Sequence, residues 1–413
     1  MHLGDIVNAA AAPNGKPLDG IRVLAAEQMQ ALPFATQLLA RLGAEVVKVE
    51  HPTHGESGRG ALPAMKDPDG RLVGATFLRN NLNKRSVGLD LKSDAGRELF
   101  LELAGNFDIV AENFKAGTMD RLGLGYDVIS ARYPRAIYAS VSGFGGTGDS
   151  PYQSWPAYAI VPEAMSGLYE YARKGDEPPR VIPAGALGDI SSALFAVIGI
   201  LAAIRHRDTT GRGQQVDIAM LDSMIAMTDV ITNYQSLGAI DNTPQGIMTG
   251  FRASDGWFAV QVVREHQFEK LAELIGKPGW IDDPAFGTRY LWAEELERQV
   301  RPAVEAWASN LTRLEACAQL GQLGIPSGPC FTPTEVIDNE HVAKRNMLVE
   351  MPRVDGVSEP VLIPGNPVKL SAMAEGPETR VPWVGEHTSE VLHEELGLDE
   401  ARLDELRESG VIN

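Results

Sequence analysis

The sequence predicts an open α/β sheet, and two observations carry that expectation. Strand-like and helix-like segments alternate from Ile21 to Ser142, and the first strand, helix and strand fit within about thirty residues. Ile21–Ala26 is a short apolar strand. Phe34, Leu38, Leu39 and Leu42 recur at helical spacing behind Pro33, and Gly43 ends that helix. Glu45–Glu50 is a second strand, and a βαβ unit of this kind joins parallel strands through a right-handed crossover. Ser86–Leu91, Phe107–Glu112 and Ala136–Ser142 follow as strands, with a helix over Asp94–Ala104.

Beyond Pro151 the character changes. Pro151, Pro156, Pro162, Pro178, Pro179 and Pro183 break the stretch into a wall or lid. Asp189 then precedes Ile190, Leu194, Val197, Ile198, Leu201 and Ile204, a stripe in a segment so apolar that a fully buried helix is expected. Gln215–Met220 reads as a strand and Leu221–Leu237 as a helix. A second region from Thr243 to Pro333 offers a strand at Trp257–Val263 and helices at Gln267–Ile275, Ala293–Ala308 and Thr312–Leu320. Amphipathic, acidic helices close the chain at Glu386–Leu396 and Glu400–Ser409.

Composition narrows the function. At 413 residues and 44% hydrophobic content the chain supports two or three domains with substantial cores. Its net charge of −18 disfavours nucleic-acid backbones and anionic membranes. Cys317 and Cys330 lack metal-site spacing, which fits a reducing compartment and predicts no metal. The apolar run Ala193–Ile204, closed by Arg205, His206 and Arg207, is too short to cross a bilayer, and the first sixteen residues show no leader pattern. A cytoplasmic protein is expected.

The motifs argue first by exclusion. Gly143–Gly148 matches GxGxxG, but Asp149, Ser150 and Pro151 follow where a helix is needed, and the first βα turn, Glu27–Pro33, has no glycine. Nicotinamide dinucleotides are therefore disfavoured, and Glu50 reads as a strand-end surface charge. Asp189 before an apolar helix reads as an N-cap. The same geometry places an ionised carboxylate at the positive end of a helix dipole, where it can attack an acyl carbon. Lys84, Arg85, Lys92 and Arg121 read singly as solvated charges and together as an anion site. Asn113 and Phe114 offer an amide and a ring suited to a purine, and packing explains Phe114 equally well. His206 and His341 have no ligand-spaced partners.

Taken as a set, Pro17–Leu24, Leu42–Glu50, Asn83–Ser86, Glu112–Phe114, Leu187–Asp189, Thr210–Gln214 and Gly385–Thr388 resemble the class III CoA-transferases, the formyl-CoA transferase, carnitine CoA-transferase and bile-acid-inducible F family. The resemblance implies a Rossmann-like large domain (1–225 and 345–413) plus a small α/β domain (245–335), joined by linkers 226–244 and 336–344. It implies ring-shaped subunits interlocked in an obligate homodimer. Asp189 falls on the family's nucleophile, with Gln30 and Tyr158 beside it to orient the acyl group. CoA contacts carry over to Gln28, Met29, Ala31, Leu89, Lys92, Asn113, Phe114, Arg121 and Met220, with His51 standing where the formyl-CoA enzymes have arginine. Coenzyme A and its acyl thioester enter as substrates beside a small carboxylic acid, with no tightly bound cofactor.

The departures are specific. Pro156 stands in place of a lysine, Ala159 in place of an acid, and the segment Thr243–Gly256 holds Gly246, Gly250 and Gly256 rather than a tetraglycine loop. An acyl group other than formate or oxalate is expected. A 2-methylacyl-CoA racemase on the same fold needs two bases, and Ala157–Ala159 replaces the Gly-His-Asp run that supplies the histidine. A non-catalytic CoA-binding paralogue is the third reading.

Overall fold

The computed structural model describes residues 1–173, 175–181, 185–238 and 245–413. Pro183 and the 239–244 portion of the expected linker, Thr243 included, lie outside the described residues.

Six strands make one sheet: β1 (Arg22–Ala26), β2 (Glu45–Glu50), β3 (Lys84–Gly88), β4 (Ile109–Glu112), β5 (Ile137–Ser142) and β6 (Gln215–Ala219). All pairings are parallel, and the order is β3-β2-β1-β4-β5-β6. The strand order reverses between β1 and β4, so a crevice forms at their carboxyl ends. Side-chain alternation explains the two-sided core. Val23 and Ala25 of β1 pack with Leu32, Leu39 and Ile200 on one face, while Leu24 and Ala26 pack with Phe100, Leu103 and Leu392 on the other. Strands covered on both faces read as continuous apolar runs, which is why the sequence exposes them so clearly.

The helices α1 (Ala31–Arg41), α2 (Asp94–Ala104) and α3 (Leu187–Thr210) supply those covers. Pro33 sits in the first turn of α1, where a missing N–H leaves no bond unmade. The Ser93 hydroxyl caps α2 by accepting from the Gly96 N–H at 3.0 Å. Two expectations for α3 are corrected. The helix begins before Asp189, with Ala186 as its flanking residue, so Asp189 is a first-turn residue and not the cap. Nor is α3 buried all round. Ala193, Ala196, Ile200 and Ala203 pack on the sheet, whereas Leu194, Ile198 and Leu201 are 44%, 61% and 38% exposed. By length and composition alone α3 could cross a membrane, but its buried side is that of a core helix.

The expected helix over Leu221–Leu237 is shorter. It runs as α4 (Met220–Met227), Thr228 turns to extended backbone, and a π-type turn follows over Val230–Gln235.

Contacts divide the chain into two compact units, Met1–Tyr234 with Ala343–Asn413, and Gln235–Val342. In the second, β7 (Ile247–Ala253), β8 (Gly256–Val262) and β9 (Ser327–Pro329) form an antiparallel sheet. Phe251, Phe258, Phe268, Trp292 and Leu320 fill its core, against α5 (Glu265–Leu274), α6 (Arg301–Ala308) and α7 (Arg313–Gln322). The continuous helix expected over Ala293–Ala308 is interrupted by a π-type turn at Leu296–Val300, and Pro302 sits at the start of α6, where its missing N–H is tolerated. The closing helices α8 (Thr388–Leu396) and α9 (Glu400–Glu408) return to the first unit, where Val391, Leu392, Leu403 and Leu406 join the sheet's core.

Candidate active site

The carboxyl ends of β1 and β4 are tied by one side chain. Asn113 Oδ1 accepts from the Gln28 N–H at 2.8 Å, and its Nδ2 donates to the Gln28 carbonyl at 2.9 Å, so the amide acts as a backbone extension across the crevice. Met29, next along, holds a left-handed φ of 60°, a conformation that costs a residue with a Cβ about 1–3 kcal/mol unless its surroundings fix it. The fixing group is Glu56, which accepts from the Met29 N–H at 2.9 Å.

Glu56 belongs to a buried charge cluster beneath this turn. Lys48 lies 3.6 Å from both Glu27 and Glu56, and Lys84 donates to Glu27 at 2.7 Å. Burial raises the Glu27 carboxyl, but Lys84 and Lys48 together hold it below its usual range. Burial pushes the Lys84 ammonium down to about 8, against the pull of Glu27. Lys84 is thus an internal counter-ion and not part of a solvent-facing anion site. Arg85 is also removed from that role by Glu45, Glu390 and Glu394. Glu50, expected at the surface, is buried and paired with Arg59 at 2.5 Å.

Asp189 lies half-buried in the first turn of α3, one residue after Gly188. A Cβ at Gly188 would meet the Ala159 carbonyl oxygen at 3.0 Å, so glycine permits the close approach of this turn to the Ala159 backbone. The Gly188 N–H donates to Glu163 at 3.0 Å, and Glu163 also accepts from the Tyr169 hydroxyl. Burial raises the Asp189 carboxyl to about 6, Glu163 adds to the rise, and Arg79 opposes it. The group is mostly ionised at neutral pH yet more basic than a surface aspartate.

A cavity of about 210 Å³ has Asp189, Gln30, Tyr158 and Met220 in its lining, together with Gln28, Met29, Ala31, Asn113 and Phe114. Pro156 and Trp155 lie on its wall. A second cavity of about 720 Å³ shares Gln28 and Phe114 with the first and adds His51, Leu89 and Lys92. There His51 and His54 stack with ring centroids 3.8 Å apart. Arg121 lines neither cavity. It is exposed, and its guanidinium donates at 2.9 Å to Thr118, a lining residue of the second.

The glycine run Gly143–Gly148, set aside as a dinucleotide site from its sequence, holds a carboxylate of the protein itself. The Asp217 carboxylate accepts from the N–H groups of Gly146 and Thr147 at 2.9 and 2.8 Å and from the Thr147 hydroxyl at 2.7 Å. The protein's own anion fills the turn. Sequence reasoning passed over Glu56, Glu163, Arg79 and His54. The left-handed Met29 and Ala186 beside the two helix starts, at φ 60° and 28°, carry no residue-type signal.

The chain is similar to known proteins over most of its length. The family described as CoA-transferase family III matches residues 18–388. Succinyl-CoA:mesaconate CoA-transferase of Haloarcula hispanica is 35% identical over 91% of this chain and 96% of that protein. Formyl-CoA:oxalate CoA-transferase of Streptomyces coelicolor is 35% identical over 96% of this chain and 99% of that protein. The solved structure of a CAIB/BAIF family protein from Brucella suis superposes with a TM-score of 0.79 at 30% identity, covering 92% of this chain and all of that one.

Proposed function

The chain belongs to CoA-transferase family III, and from that premise we propose that it moves coenzyme A from an acyl-CoA donor to a carboxylic acid acceptor with Asp189 as the nucleophile. The observation that carries this reading is the half-buried Asp189 carboxylate on the wall of a cavity that shares Gln28 and Phe114 with a larger one. The larger cavity takes the nucleotide end of CoA near Lys92, His51 and Leu89, and the pantetheine arm passes Gln28, Asn113 and Phe114 to bring the thioester to Asp189.

The chemistry then follows from an ionised, partly desolvated carboxylate. An Asp189 oxygen attacks the thioester carbonyl, the C–S bond breaks, and CoA leaves as thiolate, giving a mixed anhydride. The thiolate attacks the aspartyl carbonyl and releases the donor acid as its carboxylate, leaving an aspartyl-CoA thioester. The acceptor carboxylate attacks that thioester and expels the thiolate, which takes the acceptor acyl group from the new anhydride and frees Asp189. Covalent catalysis replaces one hard exchange by several easier ones. Gln30 and Tyr158 orient the acyl group, and no tightly bound cofactor enters.

An anhydride needs a dry cleft, whereas Tyr158 and Trp155 are 69% and 51% exposed in the single chain. A second copy of the chain, interlocked with the first, covers these residues together with Leu194, Ile198 and Leu201. Sedimentation velocity then reads a dimer. The racemase reading lacks its base, since no histidine lines the Asp189 cavity among the described residues. Replacement of Asp189 by alanine is expected to abolish thioester exchange with CoA binding retained, and undiminished exchange would remove Asp189 from the mechanism.

A further inference from the structure

We propose that Glu112 is a positioning residue for acyl-CoA, because its carboxyl fixes the turn that places Phe114 where the two cavities meet. The proposal rests on the transferase reading and adds to it a residue that acts through another.

The crevice is bounded by two turns, each held by a buried acid. After β1 the Met29 N–H donates to Glu56 at 2.9 Å. After β4 the Phe114 N–H donates to Glu112 Oε2 at 2.8 Å. Between these anchors Asn113 clasps the Gln28 backbone, so a shift of the second turn is carried to the first. Phe114 lines both the Asp189 cavity and the larger one.

Alternation along β4 buries this acid. Val110 faces the core that holds Phe100 and Tyr138, and Glu112, two residues on, shares that face. It is 8% exposed, its hydrogen bond from the Phe114 N–H is the one it makes with any described residue, and it forms no ion pair among them. The groups that face it are acids. Glu112 is in register with Ser140 of β5, and Ser140 with Asp217 of β6, which sets Asp217 along the same row. Asp120, from the short helix Thr118–Arg121, and the Tyr138 phenol of β5 complete the set. Burial raises the Glu112 carboxyl to about 8, the Phe114 N–H opposes the rise, and Asp120 and Asp217 add to it.

At neutral pH the neutral acid therefore keeps an oxygen for Phe114 and adds no charge near a ligand that carries phosphates. Its ionisation sets an unpaired charge beside Asp120 and Asp217, and water must enter to solvate it. The turn then loosens, and Phe114 leaves the joint between the cavities.

The test is calorimetric binding of S-ethyl-CoA, a thioether that neither reacts nor carries a titrating thiol, to the full-length protein at pH 7 and pH 9. With binding confined to the neutral acid, the wild-type Kd rises about tenfold between the two. Glu112→Gln keeps an oxygen for the Phe114 N–H in a group that never ionises. Its Kd is expected within about threefold of wild type at pH 7 and to rise little by pH 9. Glu112→Met removes the acceptor and weakens binding about tenfold at both pH values, and the glutamine variant carries the test should the methionine one fail to fold. Lys84 titrates near the same pH and is intact in Glu112→Gln, so a rise that it causes persists there. A flat wild-type Kd, or an equal rise in Glu112→Gln, overturns the role of Glu112 alone. Absence of binding by wild type at pH 7 overturns the transferase reading and this proposal with it.

Discussion

The carboxylate of Glu163 accepts a hydrogen bond from the Gly188 N–H at 3.0 Å, which sets a second negative charge beside the helix turn that carries Asp189. The same contact caps an otherwise unpaired N–H at the start of α3 and makes its neighbour more basic. Catalysis by an ionised carboxylate then rises with pH through about 6. Glu163→Gln keeps an oxygen for Gly188 and removes the charge, so the acid limb of log(kcat/KM) against pH is expected to move to lower pH. An unmoved limb would show that Glu163 has no electrostatic hold on the reacting group.

Burial of the Asp189 charge also has a cost in stability. Its carboxyl titrates near 3.8 when unfolded and about 6 when folded, so the folded chain binds more protons between those values and loses stability as pH rises across them. Asp189→Asn is expected to match wild type below pH 4 and to be more stable by ~1–3 kcal/mol at pH 7. Denaturant unfolding at the two pH values measures the difference, and a variant less stable at pH 7 would contradict it.

His51 lines the larger cavity, and burial lowers its imidazole, with His54 and Lys92 adding to the fall and Asp90 opposing it. A neutral ring is a weak holder of phosphate. His51→Arg supplies a permanent forked cation and is expected to lower the KM for acyl-CoA by about tenfold at pH 7.5 with little change in kcat. A raised KM would place the phosphates of CoA elsewhere.

Much of the fold was legible because β1, β4 and β5 are short, largely apolar runs between turn residues and α2 lies where its pattern put it, at Asp94–Ala104, whereas β3, expected at Ser86–Leu91, runs over the polar Lys84–Gly88. Asp189 was legible as a residue and misread as a cap. Ala186 takes a left-handed backbone and lets α3 start earlier, a choice made by tertiary packing. The charges were least legible. Lys84 and Glu50 look like surface groups in the sequence, yet each is buried against a partner far along the chain or across a loop, Glu27 and Arg59. Periodicity reports faces of helices and strands and says nothing of which charges will meet. The GxGxxG match was rightly set aside as a dinucleotide site, but nothing in the pattern named Asp217, some seventy residues away, as the group that fills the turn.

The central claim is that Asp189 becomes acylated during turnover, and chemical trapping tests it most directly. The protein is mixed with an acyl-CoA that supports exchange, quenched with hydroxylamine, digested and weighed peptide by peptide. A hydroxamate confined to Asp189 and dependent on acyl-CoA is the expected result. Continued exchange with an unmodified Asp189, or with the adduct on another side chain, would contradict the account.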